Sequence, residues 1–95
     1  MQFPIKVYRV AEQSMEPAVP EGSYVVVNRW GSRFARGDIV VLRSPEDNLT
    51  LVKRIDRFIG DRVFALGDNK GKSRDSRAFG AVRKQDIMGK VLFIL

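Results

Sequence analysis

A small, mainly β domain, its twisted antiparallel sheet curled into a partly open barrel, is the fold class this sequence predicts. Three observations carry that prediction. Six short runs are rich in Val, Ile, Leu and Phe, several of them alternating apolar with polar side chains. Alternation is the pattern of strands with one buried face. Turn residues punctuate these runs: Pro20-Glu21-Gly22, Arg36-Gly37 and Gly60-Asp61 stand between successive segments. No window sustains a helical period, and a single turn of helix near Ser14 or over Arg83–Asp86 is the most the pattern allows. The 95 residues make one domain, 1–95, near the lower end of what builds its own core.

The elements follow in order. IKVYRV (5–10) alternates apolar and polar residues. SYVVVNR (23–29) leaves the Pro20-Glu21-Gly22 turn, and DIVVLR (38–43) leaves Arg36-Gly37. LTLVKRIDRFI (49–59) is a longer strand, and RVFAL (62–66) returns after Gly60-Asp61. The polar stretch GDNKGKSRDSRAFG (67–80) reads as a solvated turn held by local ion pairs and Asx hydrogen bonds. IMGKVLFIL (87–95) closes the chain as a last strand. There is no internal repeat, linker or low-complexity tail.

Composition narrows the chemistry. The hydrophobic content of 44% is that of a globular chain. With no cysteine, a disulfide framework and a cysteine metal site are excluded. With no histidine, Ser-His-Asp and Cys-His machinery are excluded, together with most zinc chemistry. Acid–base work near neutral pH would then fall to Lys, Asp, Glu or Tyr. The net charge of +6 suits an anionic surface, but the basic residues are interleaved with eleven acids instead of gathering on one element. Nucleic-acid binding is therefore not expected; RIDRF, at 54–58, is the nearest approach to interleaved basic and aromatic residues. No segment reaches the roughly 20 apolar residues of a spanning helix. The first thirteen residues lack the apolar centre of a signal peptide. The expectation is a cytoplasmic protein or one peripheral at the membrane, with Phe3, Ile5 and Trp30 as an interfacial patch.

In LTLVKRIDRFI, strand alternation places Leu49, Leu51, Lys53, Ile55, Arg57 and Ile59 on one face. Lys53 thus shares an apolar face, where desolvation would disfavour its ammonium form and leave a base. The pattern equally allows its stem to lie along the sheet with the ammonium reaching water. A serine becomes a strong nucleophile only beside a base, and lysine is the known substitute for histidine in that role. Ser14 lies 39 positions before Lys53, so only the fold could join them. Spacing alone does not choose Ser14 over Ser23, Ser32, Ser44, Ser73 or Ser76. The GKS at 71–73 is not a nucleotide loop. That motif needs a glycine where Leu66 stands and a helix after the serine, and neither is present.

Four blocks nevertheless resemble type I signal peptidases, in the same order: SMEP (14–17), RGDIVVL (36–42), VKRI…GD (52–61) and GDNKGKSRDSRAFG (67–80). The resemblance runs from about residue 10 to the C-terminus, and the last block is the most distinctive. Its implications are a signal-peptidase-like core and a serine endopeptidase with a Ser-Lys dyad. Ser14 would be the acyl nucleophile and Lys53 the general base, with Ser73 orienting the lysine amine. Asp75 with Arg77, and Arg54 with Asp68, would be supporting ion pairs. The Ser14 backbone N–H would face the oxyanion. The substrate would be a leader or signal peptide with small residues at an Ala-x-Ala-like site, bound extended as an added strand. No cofactor or metal is implied. The chain departs from the pattern at Glu12, where the family has Ser or Gly assisting the oxyanion hole. The large insertion before the GDN block is missing, and no membrane anchor is expected. This compact form resembles the short subgroup of nickel-type superoxide dismutase maturation proteases. Two neighbouring readings share the fold: a self-cleaving repressor core and a catalytically silent peptide-binding module. The first would need a cleavable segment upstream, and only thirteen residues precede Ser14.

Overall fold

The computed structural model describes residues 4–31 and 33–95. Phe3 and Ser32 therefore lie outside the described residues. Within these bounds seven strands form one sheet: β1 (Ile5–Arg9), β2 (Tyr24–Asn28), β3 (Ile39–Arg43), β4 (Thr50–Ile59), β5 (Arg62–Leu66), β6 (Val82–Arg83) and β7 (Ile87–Ile94). Their spatial order is β1-β2-β7-β3-β4-β5-β6, and every neighbouring pair is antiparallel. The sheet curls into a half-barrel, as the spacing of the runs predicts. The two-residue β6 is too short to show any period in the sequence. Short 3-10 turns at Lys70–Lys72 and Lys84–Asp86 and a single-turn helix, α1 (Ser76–Phe79), complete the described chain.

The core has two parts, because β3 and β4 are buried on both faces. Val40, Leu42, Leu51 and Ile55 pack with Val63, Ala65, Val82 and Ile87. Val41 and Val52, on the opposite face, pack with Val10, Met15, Val19, Val25 and Val27. The consecutive apolar residues of IVVLR and TLV are the signature of such a doubly covered strand. Met15 and Val52 are the pair that matters for function. Each is the chain neighbour of a candidate site residue, and their burial in one cluster draws the turn around Ser14 onto β4.

Two features differ from the sequence expectation. Alternation does not run unbroken through residues 49–59. The register slips between Ile55 and Arg57 where β4 pairs with β5, which leaves an extra residue, Asp56, in the longer strand. Beyond the bulge Arg57 and Ile59 are exposed, so the apolar face of Lys53 ends at Ile55. Nor is the 67–80 segment a solvated turn throughout. Asp75 and Ser76 are buried, and the Ser76 hydroxyl accepts a 2.9 Å hydrogen bond from the Ala65 N–H, stitching the loop to β5.

Candidate active site

Pairing in the sheet leaves part of β4 open. Residues 50–54 pair with β3, but pairing with β5 begins only at Arg54. The first half of β4 therefore has one free edge, and Lys53 sits on it. Its side chain is 0% exposed. The ammonium does not reach water along the sheet: the side chain is fully buried, with Leu51 and Ile55 flanking it on β4 and Val40 opposite it on β3. Its Nζ donates to Ser73 Oγ at 3.3 Å. Burial is the chief cause pushing the lysine below its ordinary pKa. Arg77 adds to that effect, while Glu12 and Asp75 oppose it.

Ser73 is held in turn. Its hydroxyl donates to Asp75 Oδ2 at 2.6 Å. Asp75 also receives Arg77 Nη2 at 2.6 Å, Arg77 Nε at 3.0 Å and the Gly67 N–H at 2.8 Å. Burial alone would raise this carboxyl, but the hydrogen bonds from Arg77, Ser73 and the backbone outweigh it. They hold Asp75 far below the usual carboxylate range. The side chain of Asp75 also caps α1 through the Arg77 N–H. A buried carboxylate with a matched guanidinium thus fixes the hydroxyl that meets the lysine.

Ser14 arrives from the other side. It lies in the tight turn after β1, closed by the Val19 N–H on the Met15 carbonyl at 2.8 Å, and its side chain is buried. Asn69 ties this turn to the GDN block: its N–H meets the Ser14 carbonyl at 2.9 Å and its Nδ2 meets the Gln13 carbonyl at 3.1 Å. Gly67 is the wedge between the two halves. A Cβ there would run into the Ser73 hydroxyl and come within 2.6 Å of the Ser14 carbonyl oxygen. Only glycine lets the Ser14 turn and Ser73 close on the same backbone. Among the described residues, nothing accepts a hydrogen bond from the Ser14 backbone N–H, and no hydrogen bond joins Ser14 Oγ to Lys53.

The structure gathers Ser14, Lys53, Ser73, Asp75 and Arg77 around Gly67. Arg54 and Asp68 stand next to this group. They form a two-bond ion pair at 2.9 Å each, and Arg54 also reaches the Gly37 carbonyl at 2.9 Å. The pair links β4, the turn before β3 and the GDN block. Glu12 is the surprise. Its carboxylate points at the lysine, with Oε1 4.0 Å from Nζ, while its side chain stays 44% exposed. Among the remaining serines, Ser44 caps its own turn through the Glu46 N–H and Ser23 bonds the Pro20 carbonyl. Sequence reasoning had no route to Gly67, Asn69 or the Glu12–Lys53 contact, since each depends on a separation of more than forty residues. The GDN block does contain the first two.

A cavity of about 100 Å³ is lined by Glu12, Leu49, Leu51, Ser44, Phe79 and the Glu46–Arg74 ion pair, among others; it touches the site through Glu12 and Leu51, and neither Ser14 nor Lys53 lines it. A larger cleft of about 330 Å³ lies beyond the Arg54–Asp68 pair and includes neither Ser14 nor Lys53.

Comparison with known proteins gives the family of the chain. The chain is 36% identical over 107 residues to mitochondrial ATP-independent inner membrane protease subunit 1b of Arabidopsis thaliana, covering 84% of this chain and 63% of the relative. It is 32% identical over 119 residues to mitochondrial inner membrane protease subunit 2 of Schizosaccharomyces pombe, covering 99% of this chain and 66% of the relative. It is 25% identical over 138 residues to signal peptidase I V of Bacillus subtilis, covering 88% and 82%. The chain thus spans just under two thirds of the length of the first two curated relatives, 63% and 66%. The family model described as signal peptidase, peptidase S26, matches residues 1–63 and 56–95, and the chain belongs to that family.

Proposed function

We propose that this protein is a serine endopeptidase that removes a leader or signal peptide from a precursor, using Ser14 as nucleophile and Lys53 as general base. The observation that carries the reading is the Lys53 amine. It is fully buried, held below its ordinary pKa and hydrogen-bonded to Ser73, beside the turn that presents Ser14. Family membership supports the peptidase class.

The chemistry runs by acyl transfer. Neutral Lys53 takes the Ser14 hydroxyl proton as Oγ bonds to the scissile carbonyl carbon. The carbon–nitrogen bond breaks, and the lysinium gives its proton to the departing amine. Water then attacks the acyl ester, passing a proton through Lys53 back to Ser14 Oγ. The unpaired Ser14 N–H is the donor for the oxyanion. Ser73 fixes the amine, and Asp75, Arg77, Arg54 and Asp68 fix what surrounds it. The substrate lies extended along the free edge of β4 as an added strand. The cavity beside Leu51, about 100 Å³, suits small side chains such as those of an Ala-x-Ala-like site. Maturation of a metalloenzyme precursor is one such task for so compact a form. Peripheral membrane contact fits the outer row of exposed Val7 and Phe93 flanking half-buried Val26, with Ile5 and Trp30 nearby.

The test is cleavage of a leader peptide bearing an Ala-x-Ala site by the wild type, Ser14→Ala and Lys53→Ala. The wild type should cleave, and each variant should lose about 10³-fold or more in rate. Activity should rise with pH, since only neutral lysine accepts the proton, and the rise should centre below the ordinary lysine value. Equal behaviour of all three proteins, or a flat profile from about pH 6 to 10, would sink the reading. Peptide binding without cleavage would instead favour the silent module.

A further inference from the structure

We infer that Glu12 is a positioning residue for the base: its carboxylate steadies the lysinium that Lys53 becomes when it takes the Ser14 proton. The inference rests on the peptidase reading and adds a third member to the dyad.

Protonating Lys53 carries a cost. Lys53 has no exposed side-chain surface, so every proton it accepts creates a cation in a dry site. A base whose conjugate acid is so disfavoured takes a proton poorly. Nearby charge must offset this. The charged groups facing the amine are Glu12 from the segment after β1, and Asp75 and Arg77 from the GDN loop and α1. Asp75 reaches it only through Ser73, and its charge is matched by two hydrogen bonds from Arg77. Glu12 has no such match. Among the described residues Lys53 is the one cation paired with it, at 4.0 Å.

Position explains why this residue can act so. Glu12 stands two residues before Ser14, where a carboxylate facing the developing oxyanion would oppose the reaction. Turned toward β4, it faces the lysine amine instead. The oxyanion and the lysinium form in the same step, the first beside the Ser14 N–H and the second beside Glu12. At half exposure Glu12 carries little desolvation cost of its own. A bound substrate strand on the β4 edge would cover it and strengthen its pull on the lysine.

Two measurements on wild type, Glu12→Gln and Glu12→Asp test this. The first is the pH–rate profile of peptide cleavage. In Glu12→Gln the rising limb should move to lower pH by about 0.5–1 unit, the effect of one carboxylate at this range under solvent screening. Its alkaline plateau in kcat should also fall several-fold, because the base is weaker. Glu12→Asp should restore part of both. The second measurement needs no activity: the Lys53 Cε resonance is followed through its titration by NMR, assigned with Lys53→Met. Its midpoint should shift in Glu12→Gln in the same direction as the limb. An unmoved midpoint overturns the inference, whatever the activity. A fall in plateau with an unmoved limb makes Glu12 merely structural and overturns it as well. A shifted midpoint in a protein that cleaves nothing upholds the Glu12–Lys53 coupling and overturns the peptidase reading instead.

Discussion

Lys53 is an amine on four carbons with no exposed side-chain surface, and its burial works against stability while serving reactivity. Its folded pKa lies below that of the unfolded chain, so the unfolded state binds more protons over that interval. Stability should therefore rise with pH toward the ordinary lysine value, about 10.4, and fall as pH drops through the folded value. Lys53→Met removes that cost. The variant should be inactive yet melt about 5 °C higher at pH 6, with a smaller gain at pH 10; calorimetry at both values checks this. Asp75 gives the same direction of pH dependence, since its pKa is also lowered, but here folding favours the charged form instead of opposing it. Its carboxylate is more acidic folded than unfolded, so its contribution is complete above about pH 4 and lost as pH falls below that. Asp75→Asn leaves Arg77 without its partner and should cost about 3 kcal/mol at neutral pH. Urea titration should show that cost shrinking toward pH 3.

Among the elements, β4 and the GDN loop do most of the positioning. β4 carries Lys53 on a half-free edge, and the loop carries Ser73 and Asp75 across to it. Their approach depends on Gly67. Gly67→Ala should push apart the Ser14 turn and Ser73, reducing cleavage more than about 100-fold. Gly89 offers the control. It lies on β7, which β3 separates from the lysine strand, and a Cβ there meets the Val27 side chain and comes within 2.6 Å of the Asn28 carbonyl oxygen. Gly89→Ala should destabilise by about 1–3 kcal/mol while leaving the pH–rate profile of the folded fraction in place. Thermal melts run beside pH–rate profiles separate the two. At this scale much was legible beforehand. Six strands follow from period and punctuation, because alternation is a local property of a half-buried strand. The bulge after Ile55 was not legible, since it depends on the partner strand, and α1 was hidden in a segment whose polarity reads as loop.

For the whole molecule, charge and surface decide what it meets. The outer face of β1, β2 and β7 exposes Val7 and Phe93, with Trp30 66% exposed at the end of β2, on a chain of net charge +6. Among the described residues no helix is long and apolar enough to cross a membrane. Co-sedimentation with anionic vesicles is expected at low salt and should weaken steeply above the ionic strength that screens beyond about 10 Å. Equal binding to neutral vesicles would assign the contact to the apolar face alone. No binding to either would remove the membrane from the proposal. The β class, the absence of histidine chemistry and the apolar face on which Lys53 lies are all written in the sequence. Each of these follows from residue type and local period. That Lys53 is sealed from water, that Gly67 joins the Ser14 turn to Ser73, and that the Glu12 carboxylate turns to the lysine emerge from the folded chain alone. Those facts depend on contacts between segments 39 or more residues apart or on the curl of the sheet, and no local pattern records either.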